Sequence, residues 1–192
     1  MTKKALGPQP LLWAHPVVLV GAMVDGKPDF AAVAWTGVAA SNPPAVTVAL
    51  QHHRHSLKGI RKNYTFSVNI PSADLVKETD YCGIISGAKT DKVADCGFNI
   101  FYGKLKNAPL IEQCPINLEC NVIQIINMGS HSLVIGQVAE VYVTEDCLTN
   151  GKPDVLKVKP FTFFPPKYRA IGEAVADTFR SGREIKEIKD AI

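Results

Sequence analysis

Runs of apolar residues with strand character occupy most of this chain, and the three- to four-residue spacing of an amphipathic helix surfaces only in short stretches. Pro16–Val24 is apolar and β-branched and runs into the turn signal Asp25-Gly26-Lys27-Pro28-Asp29, which predicts an antiparallel hairpin. Phe30–Leu50 reads as a strand, a bend at Ser41-Asn42-Pro43-Pro44 and a second strand. Val33, Val46 and Val48 favour extended backbone there, and the paired prolines exclude helix. After Gln51 the period changes: Leu57 and Ile60 share one face of a short helix that Ser56 would cap. Tyr64–Ile70 alternates, with Phe66, Val68 and Ile70 on one side, and Pro71 ends it. Ser72 then caps a helix to about Ile85, with Gly87 as its left-handed stop, and Thr90 caps another through Cys96. Two long strands, Ile116–Ile126 and Ser132–Val143, flank the turn Asn127–His131. Pro160–Tyr168 crowds aromatics between prolines and cannot be helical, whereas Glu173–Ile188 reads as a charged helical tail. The sum is a mainly β chain with a few short peripheral helices.

At 192 residues, with 46% hydrophobic and 20% charged side chains, the sequence suits one domain with a substantial core, spanning 1–192 with its body at about 16–168 and the tail at 173–192. The net charge of +3 is small and well mixed, which argues against a nucleic-acid surface. No apolar run is long enough to cross a bilayer, and Met1-Thr2-Lys3-Lys4 is not followed by the apolar block of a secretory signal, so a cytoplasmic protein without a membrane partner is expected. The five cysteines are odd in number and lack Cys-x-x-Cys spacing, against both a disulfide framework and a zinc site. Cys82, between Tyr81 and Gly83, is the one to watch. His52, His53 and His55 sit at a strand end, where neighbours point to opposite faces and form no chelating pair, so no metal is expected.

Candidate chemistry concentrates in the strand ahead of the prolines. Ala31, Ala32, Ala34, Gly37, Ala39 and Ala40 leave its backbone approachable by a flat molecule, with Trp35 and Thr36 beside it; equally, the small residues could admit a neighbouring element of the fold. Ser56 at a helix start with Arg54 nearby could hold an anion, or could be an ordinary cap beside a solvated arginine. Lys92 lies near another helix start, where the dipole gives a lysine no benefit, and this points to an anion from outside the chain. No nucleophile motif, paired carboxylates, dinucleotide fingerprint or phosphate loop is present. Any redox chemistry must therefore belong to a bound organic ring.

A small-residue strand ending in Ser41-Asn42-Pro43-Pro44, a hydrophobic strand and a basic Arg54-His55-Ser56 turn resemble the flavin reductase-like family of FMN-binding split barrels. Further matching pieces are Phe66–Pro71, Ser86-Gly87 with Asp91-Lys92, Gly129-Ser130-His131 and Phe163-Phe164, and within the family the chain is most similar to the flavoredoxins. The resemblance implies an antiparallel, Greek-key type split β-barrel that binds FMN tightly at a homodimer interface. It implies ring contacts from Trp35, Thr36 and Gly37, and phosphate contacts from Arg54 and Ser56, with Ser41 nearby. Lys92, His131, Phe164 and Asp29 complete the implied pocket. No side chain is implied as catalytic, since the flavin N5 is the reactive centre. Asp29 stands where an asparagine is expected, and a carboxylate disfavours a reduced, anionic flavin; Ser56 replaces the commoner threonine but keeps its hydroxyl. Electrons would come from NAD(P)H or a redox partner protein and pass to an acceptor. An electron carrier without NAD(P)H turnover and an interaction module that has lost the flavin are the alternatives.

Overall fold

A computed structural model describes residues 1–185 of the chain. In chain order the strands begin with β1 (His15–Pro16), β2 (Val18–Val24), β3 (Lys27–Val33), β4 (Thr36–Ser41) and β5 (Pro44–Gln51). Helix α1 (His55–Asn63), β6 (Thr65–Ile70), α2 (Val76–Ile84) and α3 (Lys92–Cys96) follow. Then come β7 (Ile100–Phe101), β8 (Leu110–Ile111) and the long pair β9 (Ile116–Met128) and β10 (His131–Val143). The chain continues through β11 (Leu148–Thr149), β12 (Lys152–Pro153), α4 (Val155–Val158), β13 (Phe161–Phe164) and β14 (Lys167–Ala170).

Seven strands form one antiparallel sheet in the order β3-β2-β6-β9-β10-β5-β4. Strands adjacent in sequence, β3 and β4, therefore stand at its two ends. The apolar stretch that begins at Phe30 is not one strand, as its sequence predicts, but two, interrupted at Ala34-Trp35. Val33 pairs with Val18 of β2, whereas Thr36 pairs with Val48 of β5, so the backbone changes partner within two residues. The backbone amide of Ala49 donates to the carbonyl of Trp35 at 2.8 Å and fixes the crossing. The hairpin turn before β3 is also shorter than predicted: Asp25-Gly26 suffices, and Lys27, Pro28 and Asp29 belong to the strand.

Alternation puts Val18, Val20, Ala31, Val33, Val48, Leu50, Phe66, Val68, Cys120 and Val134 into one core inside the curled sheet, where Leu57 and Ile60 of α1 join them. The other face of β2 and β3 is covered too. Leu19 and Phe30 pack there with Cys82, Phe98, Ile111 and Cys114. Burial on both faces explains why β2 is apolar at nearly every position rather than at every second one.

The helix ends differ from their sequence-based placement. Arg54, not Ser56, occupies the N-cap of α1, and Ser56 is buried one residue inside the helix. Ser72 caps a short 3-10 turn without a side-chain bond, and α2 ends at Ile85 in extended conformation, so Gly87 is no helix stop. Asp91 rather than Thr90 caps α3, its carboxylate accepting from the amides of Val93 and Ala94. The predicted tail helix is not formed over 173–185, where one 3-10 turn, Ser181–Glu184, is the regular piece; 186–188 lie outside the described residues.

Inside the barrel, a register shift in β10 falls at Ile135/Gly136, and a Cβ on Gly136 would overlap the fully buried ring of Phe66. Gly136→Ala is expected to cost about 1–3 kcal/mol by overpacking, and Phe66→Ala about 3–5 kcal/mol. Because the added methyl enters the space the ring vacates, the double variant should lose less than the sum, by about 1 kcal/mol in urea unfolding.

Candidate functional site

Where the chain crosses between β3 and β4 the sheet leaves an opening, and a cavity of about 460 Å³ lies against it. Ala32, Ala34, Ala49 and Gly83 contribute little bulk to its wall, so space remains between the end of β3, the end of β5 and helix α2. Trp35 and His131 stand on one side, with ring centroids 4.5 Å apart and planes inclined by 28°, a stacked pair. Trp35 keeps 41% of its surface exposed, so histidine covers only part of the indole. Phe163 and Tyr168 of the β13–β14 hairpin face the same space, and the phenol of Tyr168 donates to Asp80 Oδ1 of α2 at 2.7 Å. Burial, then that carboxylate, raises the Tyr168 pKa, so the phenol stays protonated in the physiological range.

A second cavity, of about 120 Å³, adjoins the first and shares Arg54, Gly83 and Ile84 with it. Its lining carries the cations Arg54 and Lys92, with His53, His55 and Ser86 beside them. The N-terminus of the nine-residue α1 opens here with no acidic residue in its first turn and no side chain capping its amides, leaving their partial positive charge uncompensated. His55 Nδ1 is buried without a hydrogen-bond partner. Arg54 is held in place because its Nη1 donates to the carbonyl of Gly83 at 2.6 Å. A site that is small, cationic and placed at a helix start suits a phosphate-like group.

On the far side of Lys92 lies a polar cavity of about 420 Å³ between the β2–β3 turn and the segment Gly87–Lys92. Asp29 lines it and lies 2.9 Å, through Oδ1, from Lys92 Nζ, both side chains being almost fully buried. The Lys92 ammonium also donates to the carbonyl of Phe30. A Cβ on Gly87 would overlap the Asp29 carboxylate, which accounts for glycine at that position.

Of the residues singled out in the sequence, Trp35, Arg54 and His131 meet at the large cavity, and Arg54 meets Lys92 at the small one. Asp29 reaches the group only through Lys92. The remaining candidates lie elsewhere in this chain. Thr36 spends its hydroxyl on the carbonyl of Thr47 at 2.7 Å. Gly37 has open space around it and lines neither cavity. Ser41 pairs with Pro44 at the far end of β4. Phe164 packs on Trp13 with centroids 4.6 Å apart, and its neighbour Phe163 lines the cavity instead. Ser56 is wholly buried, its Oγ without a partner, and it lines neither cavity. Sequence reading missed Asp80, Phe163 and Tyr168 as wall residues and Ser86 as the hydroxyl of the small cavity. For Phe163 and Ser86 the signal existed, since both stand in the pieces Phe163-Phe164 and Ser86-Gly87 that carry the resemblance; for Asp80 none did. Cys82 is fully buried and burial pushes its thiol up, away from the reactive thiolate.

A cavity of this size beside a small basic pocket, at the opening of a split barrel, has the form of a ligand site with one roomy and one anion-binding part. The chain matches the family described as "Flavin reductase like domain" over residues 12–172, and it belongs to that family. Flavoredoxin from Methanosarcina acetivorans superimposes with a TM-score of 0.93 and is 34% identical, over 97% of this chain and 100% of that one. Flavoredoxin of Desulfovibrio vulgaris (Miyazaki F) follows at 0.88, with 36% identity over 94% of this chain and 100% of its own. An uncharacterized protein of Archaeoglobus fulgidus is 31% identical over 130 residues, 67% of this chain and 72% of its own length. Membership implies flavin-binding redox chemistry. The resemblance read from the sequence thus holds for family and for fold.

Burial, and then the charges of His52, Arg54 and His53, lower the His131 pKa below the ordinary histidine value. A base whose folded pKa is depressed binds fewer protons folded than unfolded, so its contribution to stability is complete above about 6.5 and is lost as pH falls through the lower folded value. Titration of the His131 ring by NMR should show a midpoint below about 6.5, and an anion in the adjoining cationic pocket should move it upward.

Proposed function

We propose that the chain is an FMN-binding flavoprotein of the flavin reductase and flavoredoxin type. The observation that carries this reading is the pair of adjoining cavities joined at Arg54, one large and bounded by the Trp35–His131 stack, the other small and cationic. FMN has both parts that these cavities call for. When bound, FMN supplies a centre that accepts a hydride or single electrons, taking them from NAD(P)H or a redox partner and passing them to a protein or small-molecule acceptor.

The chain's own residues prepare that chemistry. Trp35, Phe163 and the alanines would exclude water from the ring, while Arg54, Lys92, Ser86 and the first amides of α1 would hold the phosphate. His131, neutral over most of the physiological range, would meet the ring as an aromatic face and a hydrogen-bonding group rather than as a cation. Tyr168 keeps its proton and would offer a neutral wall.

A homodimer with the flavin site at its interface is part of the same reading. It is supported by the edge strand β4, which is paired on one side only and exposes Val38 at 83% next to Trp35. Sheets seldom leave such an edge bare in solution. A cytoplasmic location belongs to the same reading; no helix among the described residues is long and apolar enough to cross a membrane.

Purified protein incubated with FMN and then desalted is expected to keep a flavin spectrum, and protein that stays colourless overturns the reading in favour of an interaction module. Arg54→Ala should weaken FMN by roughly ten- to a hundredfold, the worth of a charge-assisted bond, and leave riboflavin, which lacks the phosphate, little changed. Steady-state NADH oxidation separates the two redox roles: turnover marks a reductase, and its absence in flavin-loaded protein marks a carrier.

A further inference from the structure

The Lys92–Asp29 pair divides two cavities, and the two partners divide them unequally. Lys92 lines both the small cationic cavity and the polar cavity behind it, whereas Asp29 lines only the latter. The two side chains are 3% and 7% exposed, so water screens their interaction little. Apart from the ion pair with Lys92 neither oxygen of Asp29 has a polar partner, and the carboxylate packs against Gly87, where a Cβ would overlap it. Lys92 is therefore the sole cation in contact with this carboxylate among the described residues. Of its three N–H donors Lys92 gives one to the carbonyl of Phe30, and a donor remains for the small cavity.

We infer that Asp29 is a residue that sets anion affinity from outside the anion site. By neutralising Lys92 from behind, it leaves the ammonium as a hydrogen-bond donor to the small cavity but cancels most of its charge there. The net attraction for a phosphate then comes from Arg54 and the start of α1. An asparagine in place of Asp29 would keep the shape of the contact and release a full positive charge within a few ångströms of the bound group. The inference deepens the functional reading above, because it takes the small cavity to be the phosphate site; the chemical class recognised is a phosphate monoester, free or carried on a flavin.

Asp29→Asn provides the test, read with three probes: inorganic phosphate, FMN and riboflavin. Isothermal titration should show phosphate and FMN each binding at least about tenfold more tightly than to the wild type, as expected for a partly buried unit charge that has lost its counter-charge. Riboflavin affinity should move by less than about threefold. The double variant Asp29→Asn with Lys92→Met removes the released charge together with the lysine donor and should bind phosphate at least about tenfold more weakly than Asp29→Asn alone. Unchanged or weaker phosphate binding by Asp29→Asn overturns the inference, and so does a double variant that binds as tightly as the single one. If the single variant does not fold, Asp29→Ser takes its place, with the same gain in phosphate affinity expected and the same failures overturning the inference. The phosphate arm is independent of the flavin assignment: wild-type protein that binds phosphate but no flavin refutes the function while leaving the role of Asp29 testable.

Discussion

Everything at this site depends on one backbone crossing. Val33 closes its ladder with β2 and Thr36 opens a new one with β5, so two residues carry the chain from one end of the seven-stranded sheet to the other. A connection so short forces the two sheet ends close together without letting them pair, and the barrel stays split. Trp35 sits at the crossing, and the carbonyl of Trp35 is tied to Ala49. The indole is thereby presented at the opening by hydrogen bonds that belong to the fold.

The small residues around the crossing serve two purposes. Ala31 is buried in the barrel core, while Ala32 meets α2 so closely that a Cβ on Gly83 would touch it at 3.4 Å. There the lack of bulk admits a helix. Ala32, Ala34 and Ala49 also leave a wall of the cavity thin, and there the lack of bulk makes room for a guest. Packing against α2 and hollowing beside it are two consequences of one composition, since the helix that comes close enough to cover β3 also supplies Gly83 and Ile84 to both cavities.

Strands were legible because burial of one face imposes a period of two, and Phe66, Val68, Leu118 and Cys120 keep to it. The break at Ala34-Trp35 was not legible, because neither residue carries a turn signal and both neighbours favour extended backbone; only the pairing partner changes. Helix starts were misplaced by two residues at α1 and by one at α3, where Ser56 and Thr90 have capping side chains but tertiary packing takes them elsewhere: Ser56 into the core, Thr90 onto Asp95 at 2.6 Å. Trp35, Arg54 and His131 are implied as site residues by the family resemblance, and the fold brings all three to the large cavity. The pairing of Lys92 with Asp29 joins residues distant in sequence and carries no local signature. Lys92 was read as a cation waiting for an external anion, while the fold has already given it an internal one.

That difference changes the electrostatics of the site more than any other departure from the sequence reading. With Lys92 compensated, the uncompensated positive charge lies on Arg54, on the amides at the start of α1 and, when protonated, on the histidines. Arg54 lines both cavities and is pinned through Gly83 to the same helix that carries Asp80, one turn earlier, on the wall of the larger one. Charge therefore runs in a fixed direction across the site, positive where the cavity is narrow and negative at the Asp80–Tyr168 contact where it is wide. A ligand with an anionic end and a neutral, planar end can satisfy this field in one orientation only, because reversal would put its anion against Asp80 and its ring among cations that need solvation. Orientation is thus decided by Arg54, at the start of α1, and Asp80, on α2, two groups that the bond from Arg54 to the Gly83 carbonyl ties together.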